Sequence, residues 1–293
     1  YFEVQDNDVA RTEIIYTWPE GYVYTYNADG EKIDSTMIEG TEEITNGELN
    51  YFSEPFEVVD IFEIGRFITP YGINLDLGEQ GFTWKYDVTD YSDLLRGTVD
   101  ISAGNLQELI DLKFIFYKGT PPRDVVEVTK VWGDMGSYRY KDLDADTKLP
   151  RTTVELDPDA KQFKFKSTIT GHGHHSSNGN YPHCCEWRNN THYLRLGENG
   201  ENEIAWNVWL DTKCGLNPVH PQGGNWPGAR EGWCPADVVD VWEFELTEYI
   251  NGNTIELDYA ITPVPASNQG MGNGNYIIAS HLMQYKDANY TTD

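Results

Sequence analysis

Residues 161–169 read KQFKFKSTI, and the alternation inside them decides the fold class. Successive side chains of an extended chain point to opposite faces, so Phe163 and Phe165 share one face and Lys164 and Lys166 the other. The pattern predicts a strand with its phenylalanine face on a core and its lysine face in water. The same texture recurs along the chain: EIIYTW (13–18), GYVYTYNADG (21–30), LIDLKFIFY (109–117), VVEVTKVW (125–132), EIAWNVWL (203–210), DVWEFELTEYI (240–250), GNTIELDYAI (252–261) and GNYIIASHLMQY (274–285). Clusters of Gly, Asn, Asp and Pro separate these runs. Only residues 90–96 read as a helical turn, with Thr89 or Asp90 as its N-cap. Many short strands with frequent turn signals predict an all-β protein of antiparallel sandwiches.

A chain of 293 residues suggests two domains on the rough prior of about 150 residues each. The polar segment KDLDADTKLPRTTVELDPDA (141–160) places their boundary at Leu149 and Pro150. The expected first domain is 1–149, with an exposed acidic excursion over about 17–57, and the second is 150–293. The balance of 21 basic against 48 acidic residues leaves a net charge of −27. Phosphate backbones and anionic lipid surfaces repel such a chain, because binding them needs Lys and Arg to displace counterions. Nucleic acid is thereby excluded as a partner. No stretch approaches the roughly 18 to 20 apolar residues of a membrane-spanning helix. Residues 1–60 alone carry 15 acidic side chains against Arg11 and Lys32, so the acidity is a local flank suited to solubility or a protein contact. Four cysteines confined to 184–234 fit an exported domain, at a cell surface, in a periplasm or secreted. The opening at Tyr1 already reads as strand and turn, so an upstream segment is expected to have preceded it.

Residues 171–235 hold all four cysteines, six of seven histidines and five of nine tryptophans, at a net charge of only −2. Aromatic faces, planar Arg donors and a few carboxylates on Gly- and Asn-rich loops suit a polar ring such as a sugar. Trp206, Trp209 and Trp242, by contrast, sit on strand runs and are expected to fill the core. His172, His174 and His183, close to the cysteines, are candidate copper or zinc ligands, although they match no established zinc spacing. His172 and His174 would share one side of a strand.

Six ordered motifs carry a family likeness. FEIGRFITPYG (62–72), YDVTDYSDLLRG (86–97), YKGTPP (117–122), ITGHGH (169–174), CCEWRNNTH (184–192), and CGLNP (214–218) with NWPGAREGWCP (225–235) resemble the bacterial peptide-N-glycosidase F family. The resemblance implies two antiparallel jelly-roll sandwiches side by side, and hydrolysis of the amide bond joining an N-glycan to asparagine, without a metal. It places the family's second-domain glutamate on Glu186 and the arginine of its Arg-x-Gly-Trp-Cys motif on Arg230. A carboxylate that orients or deprotonates water and a donor that steadies an oxyanion are what amide hydrolysis requires. Trp187, Arg188, His192, Trp226 and Trp233 are the neighbouring candidates for substrate contact. The resemblance also implies a Cys214–Cys234 disulfide, and it leaves Cys184 and Cys185 without assigned partners.

The chain departs from the family in three places. The Cys-Asp-x-Trp-Asp-Arg motif with the family's principal aspartate is missing, and Tyr1–Gln5 resembles the strand that follows it. A first-domain acidic position aligns near Gly104, and an expected cysteine is Arg188. Three functions therefore stay open at the level of sequence: an N-glycan amidase, a non-catalytic glycan- or glycopeptide-binding surface protein or accessory subunit, and a copper- or zinc-binding monooxygenase-like protein.

Overall fold

A computed structural model of the chain describes residues 21–38, 60–72, 75–79, 81–104, 110–121, 123–175, 184–267 and 270–287. It divides into two compact units, Tyr1–Ile61 and Phe62–Asp293. Within the first unit, β1 (Gly21–Tyr26) and β2 (Lys32–Ile38) form an antiparallel hairpin. The run at 13–18 and most of the acidic excursion lie outside the described residues.

In the second unit, the strands are β3 (Arg123–Lys130), β4 (Gly136–Arg139), β5 (Thr152–Glu155), β6 (Gln162–His172), β7 (His174–His175), β8 (Cys184–Cys185), β9 (Thr191–Leu196), β10 (Asn202–Asn207), β11 (Trp209–Leu210), β12 (Arg230–Glu231), β13 (Val241–Glu245), β14 (Thr254–Ile261) and β15 (Asn275–Asp287), with one short helix, α1 (Tyr140–Asp144). One sheet runs β13-β6-β15-β3, with β4 also on β15, and the facing sheet runs β10-β9-β14-β5. All named pairings are antiparallel. Phe163, Phe165 and Ile169 of β6, Ile278 and Leu282 of β15, Leu194 and Leu196 of β9, and Ile255, Leu257 and Tyr259 of β14 close one hydrophobic core between the sheets. The molecule is thus an all-β sandwich protein, and strands on both sides of Pro150 share one of its sheets.

The strand and its phenylalanine face stand as expected, but the lysine face does not meet water. Lys164 and Lys166 are buried, because apolar residues of the stretches 62–64 and 88–94 lie over the outer face of the β13-β6-β15-β3 sheet. Phe62, Ile64, Val88, Tyr91 and Leu94 pack there with Val125, Val128, Met283 and Tyr285 into a second apolar cluster. Both ammonium groups are consequently paired: Lys166 Nζ lies 2.6 Å from Asp90 Oδ2 and 2.8 Å from Glu243 Oε1, and Lys164 Nζ lies 2.9 Å from Glu243 Oε2. Alternation alone cannot report a third layer. It is also why β15 is buried on both faces through its middle.

Two local expectations are corrected. The helical turn predicted over 90–96 is a single 3-10 turn, Thr89–Tyr91, whose entry is held by Asp87 Oδ1 accepting from the Thr89 N–H and hydroxyl. Residues 110–117 of LIDLKFIFY join no ladder, and Ile115, Phe116 and Tyr117 are exposed. Propensity marks such a run, whereas a strand also needs a partner edge.

Lys166→Ala removes the 2.6 Å partner of Asp90 and leaves it the longer 3.3 Å contact to Lys164 beside a buried apolar cluster, and is expected to cost about 2 kcal/mol, against almost nothing for the exposed Lys161→Ala. Urea denaturation of both variants checks this, and equal costs would refute the covered face.

Candidate functional site

The site is assembled where β6 runs out. Gly173 (φ 97°) turns the chain in the left-handed region after His172, where a side chain is disfavoured, and residues 174–175 then pair with Cys184–Cys185. The two histidines therefore do not share a strand face. His172 ends β6, with Nε2 2.8 Å from Thr170 Oγ1 and its ring stacked on Trp233 at 5.4 Å. His174 begins β7 and faces Glu186. Cys184 and Cys185 form a disulfide with each other, and the peptide bond between them is cis. The Cys214–Cys234 bond is also formed, spanning 20 positions and worth about 3 kcal/mol through restriction of the unfolded chain.

Glu186 follows the cysteine pair, its N–H donating to Gly173 O at 3.3 Å and its carbonyl accepting from Glu231 N–H at 2.9 Å. Its carboxylate lies between two partners. Oε1 accepts from Arg230 Nε–H at 3.1 Å, and Oε2 lies 2.9 Å from His174 Nε2. The His174 side chain is 53% exposed, so this second oxygen stands at the solvent edge. Trp187 Nε1–H meets the His174 ring between its two nitrogens, 3.0 Å from Nδ1 and 2.9 Å from Nε2, and Nε2 is the nitrogen that also faces Glu186.

Arg230 is fully buried. Besides the bond to Glu186, Nη1 donates to Trp226 O (3.1 Å) and Gly228 O (2.9 Å), and Nη2 to Asn225 O (2.9 Å) and Asn225 Oδ1 (2.8 Å). All five N–H donors are engaged within the protein. Three rings surround the cation, Trp187 at 4.5 Å, Trp233 at 4.9 Å and Tyr71 at 5.5 Å, each adding a cation–π attraction. Gly232 (φ 83°) admits the Ile169 carbonyl where a side chain would stand, so Trp233 reaches Gly171 O with its Nε1–H at 2.8 Å.

Tyr71 arrives from the first motif, which docks on these loops. Ile68 N–H donates to Asp237 O, Val239 N–H to Arg66 O, Tyr71 N–H to Gln222 Oε1, and Gly223 N–H to Tyr71 O. Arg66 reaches across to Thr170 Oγ1 and Ile277 O while paired with Glu63. Burial raises the Tyr71 phenol and Arg230 opposes the shift. Burial and then the Arg66 charge lower His172 to about 4, so it is neutral.

Of the residues singled out in sequence, Glu186, Trp187, Arg230, Trp233 and His174 come together. Trp226 contributes its carbonyl and is half-buried. Trp187 and Trp233 are buried and pack on the guanidinium. Trp206 is buried in the core, and Trp242 packs against it. Arg188 is half-buried and donates from Nε to Asn190 Oδ1 at 3.0 Å. His192 lies inside the sandwich, fully buried, with Nδ1 2.6 Å from Tyr259 Oη and Nε2 3.2 Å from Glu231 Oε1. His183 lies outside the described residues, and among the described residues no group of three His, Cys, Asp or Glu could hold a metal ion. Tyr71, Asn225 and Glu231 were not singled out in sequence, although all three stand inside quoted motifs.

Residues 139–283 match the family described as peptide-N-glycosidase F, C terminal. A relative, peptide-N(4)-(N-acetyl-beta-D-glucosaminyl)asparagine amidase F of Elizabethkingia miricola, is 27% identical over 237 residues, covering 76% of this chain and 64% of the relative. The solved structure of PNGase F, a glycosylasparaginase from Flavobacterium meningosepticum, matches with a TM-score of 0.55 at 23% identity over 76% of this chain and 73% of that one. A crystal structure of the amidase at 2.2 Å resolution matches at 0.51 and 23% over 77% and 74%.

Two buried histidines and one partly buried histidine shape the acid response. His172, His192 and His281 are lowered to about 4, 3 and 4, chiefly by burial, so below 6.5 the unfolded chain takes up protons that the folded one refuses. Stability then falls with pH from 6.5 toward 4. Glu231, raised well above its ordinary value by burial, and Asp258, also raised by burial, oppose this with two groups against three. A melting temperature that declines over this interval is expected, and one that rises on acidification would overturn the assignment.

Proposed function

This chain belongs to the peptide-N-glycosidase F family, and on that premise we propose that it hydrolyses the amide bond between an N-linked glycan and asparagine. The observation that supports the reading is Glu186, a carboxylate with one oxygen locked by a fully committed arginine and the other at a half-exposed histidine. Amide hydrolysis needs a base that holds or deprotonates the attacking water at a set distance from the carbonyl. Glu186 Oε2 takes that role, with His174 Nε2 beside it to share the proton. Arg230 fixes the carboxylate rather than the oxyanion, since its five N–H groups are already bonded. The reading calls for an oxyanion donor other than Arg230. The glycopeptide is the substrate class, and Trp226 with Tyr71 lies at the rim of the same loops.

The engaged donors of Arg230 favour one second reading, a glycan- or glycopeptide-binding protein that uses this cleft without cleavage. Among the described residues no helix is long and apolar enough to cross a membrane.

Incubating the full gene product with a denatured N-glycoprotein and following glycan release with conversion of Asn to Asp separates the two. Release that falls about 10²- to 10⁴-fold in Glu186→Gln, with glycopeptide binding retained, is the expected result. Binding without release in the wild type would replace the amidase by the binding protein.

Arg230→Lys supplies three donors on a flexible stem in place of a planar fork. It is expected to lower stability by about 3 kcal/mol or more and to loosen the 225–230 loop, read as faster amide exchange at Gly228 and Arg230. Unchanged stability would show that the fork is not what holds the loops.

A further inference from the structure

One buried carboxyl lies outside the chemistry assigned above. Glu231 follows Arg230 on β12 and is fully buried. Its N–H donates to Glu186 O at 2.9 Å, and its Oε1 accepts from Asn190 N–H at 3.2 Å. A single residue thereby clasps both ends of the loop Glu186–Asn190. The same Oε1 faces His192 Nε2 at 3.2 Å, and Oε2 has no hydrogen-bond partner among the described residues.

We propose that Glu231 is a positioning residue: its neutral carboxyl, set behind the Glu186–Asn190 loop, fixes where the Glu186 carboxylate stands, and as a part of catalysis this rests on the amidase reading. The groups packed around it decide its charge. From β9 comes His192, with Nδ1 on Tyr259 Oη of β14; from β15 comes Tyr276, whose Oη accepts from Asn190 Nδ2 at 2.6 Å; from α1 comes Tyr140, 3.3 Å from Asn190 Oδ1; and from the loop comes Arg188. Arg188 is the cation whose attraction favours the ionised form, yet burial outweighs it and raises Glu231 well above the carboxylate range. His192, driven down to about 3 by burial, offers no positive charge. An ionised Oε2 without a donor would be an uncompensated buried charge, whereas the acid form costs far less. In the neutral pair His192 Nε2–H donates to Oε1, and the Tyr259 hydroxyl donates to Nδ1.

Neutrality makes the proposal specific, because glutamine reproduces the acceptor and the shape of a protonated glutamate. Glu231→Gln is expected to keep kcat close to wild type for a glycopeptide, to keep slow amide exchange at Asn190, and to lose an infrared carbonyl band of protonated carboxyl seen in the wild type at neutral pH. Glu231→Ala keeps the backbone bond to Glu186 O but frees the Asn190 end of the loop, and is expected to lower kcat about 10- to 100-fold with little change in KM, with faster exchange at Asn190. A Gln variant as impaired as the Ala variant, or an absent infrared band, would overturn the neutral clasp. Wild-type exchange and kcat in Glu231→Ala would overturn the positioning role. If the wild type releases no glycan, the amidase reading fails by itself, and the exchange and infrared measurements still decide the clasp. Because Gln is isosteric, its outcome stands even if the Ala variant does not fold.

Discussion

The guanidinium of Arg230 is the constraint on which the site depends. Arginine is the one side chain with five donors in a rigid fork, and it keeps its charge at any ordinary pH. Enclosing it leaves no water to satisfy those donors, so every acceptor becomes obligatory. Asn225, Trp226 and Gly228 supply four and Glu186 the fifth, and the flanks are closed by Trp187, Trp233 and Tyr71. The 225–230 loop, the 184–187 turn and the 62–72 segment are thus ordered by a single event. The Cys214–Cys234 bond lies at the base of the same loops.

This arrangement explains the contrast between a strongly acidic chain and a nearly neutral site. Behind the arginine the sandwich holds a polar network of Glu231, His192, Asn190, Tyr140, Tyr259 and Tyr276, and burial biases its titratable members toward their uncharged forms. On the outer face of the β13-β6-β15-β3 sheet, where charge is retained, Lys164 and Lys166 meet Asp90 and Glu243. Ionic groups are paired, and groups without a counter-charge are kept neutral. That is the rule expected where desolvation exceeds what a single attraction returns.

Much of the site was legible as motifs, because the short stretches 184–192 and 225–235 concentrate Cys, Trp, Glu and Arg in loops where such residues seldom serve packing alone. What escaped was pairing across the chain. Nothing local marks Tyr71 as a neighbour of Arg230, since 159 positions separate them. Glu231 reads in sequence as one more acidic residue, and only enclosure by β9, β14, β15 and α1 turns it into a buried acid. His192 was legible as part of a site motif but not as interior, because strand alternation sends it inward beside Leu194 and Leu196.

By itself, then, the sequence determined the period-two alternation, the β content, the local motifs and the residue types able to perform amide chemistry, all properties of neighbouring residues. The tertiary structure alone decided that the lysine face of β6 is covered, that 110–117 finds no partner edge, that His172 and His174 turn apart at Gly173, and that Arg230 is fully engaged. The physical reason is common to these cases. Burial and hydrogen-bond satisfaction depend on which distant segment arrives, and in an antiparallel sandwich closed by segments from remote parts of the chain that information is carried by long-range packing.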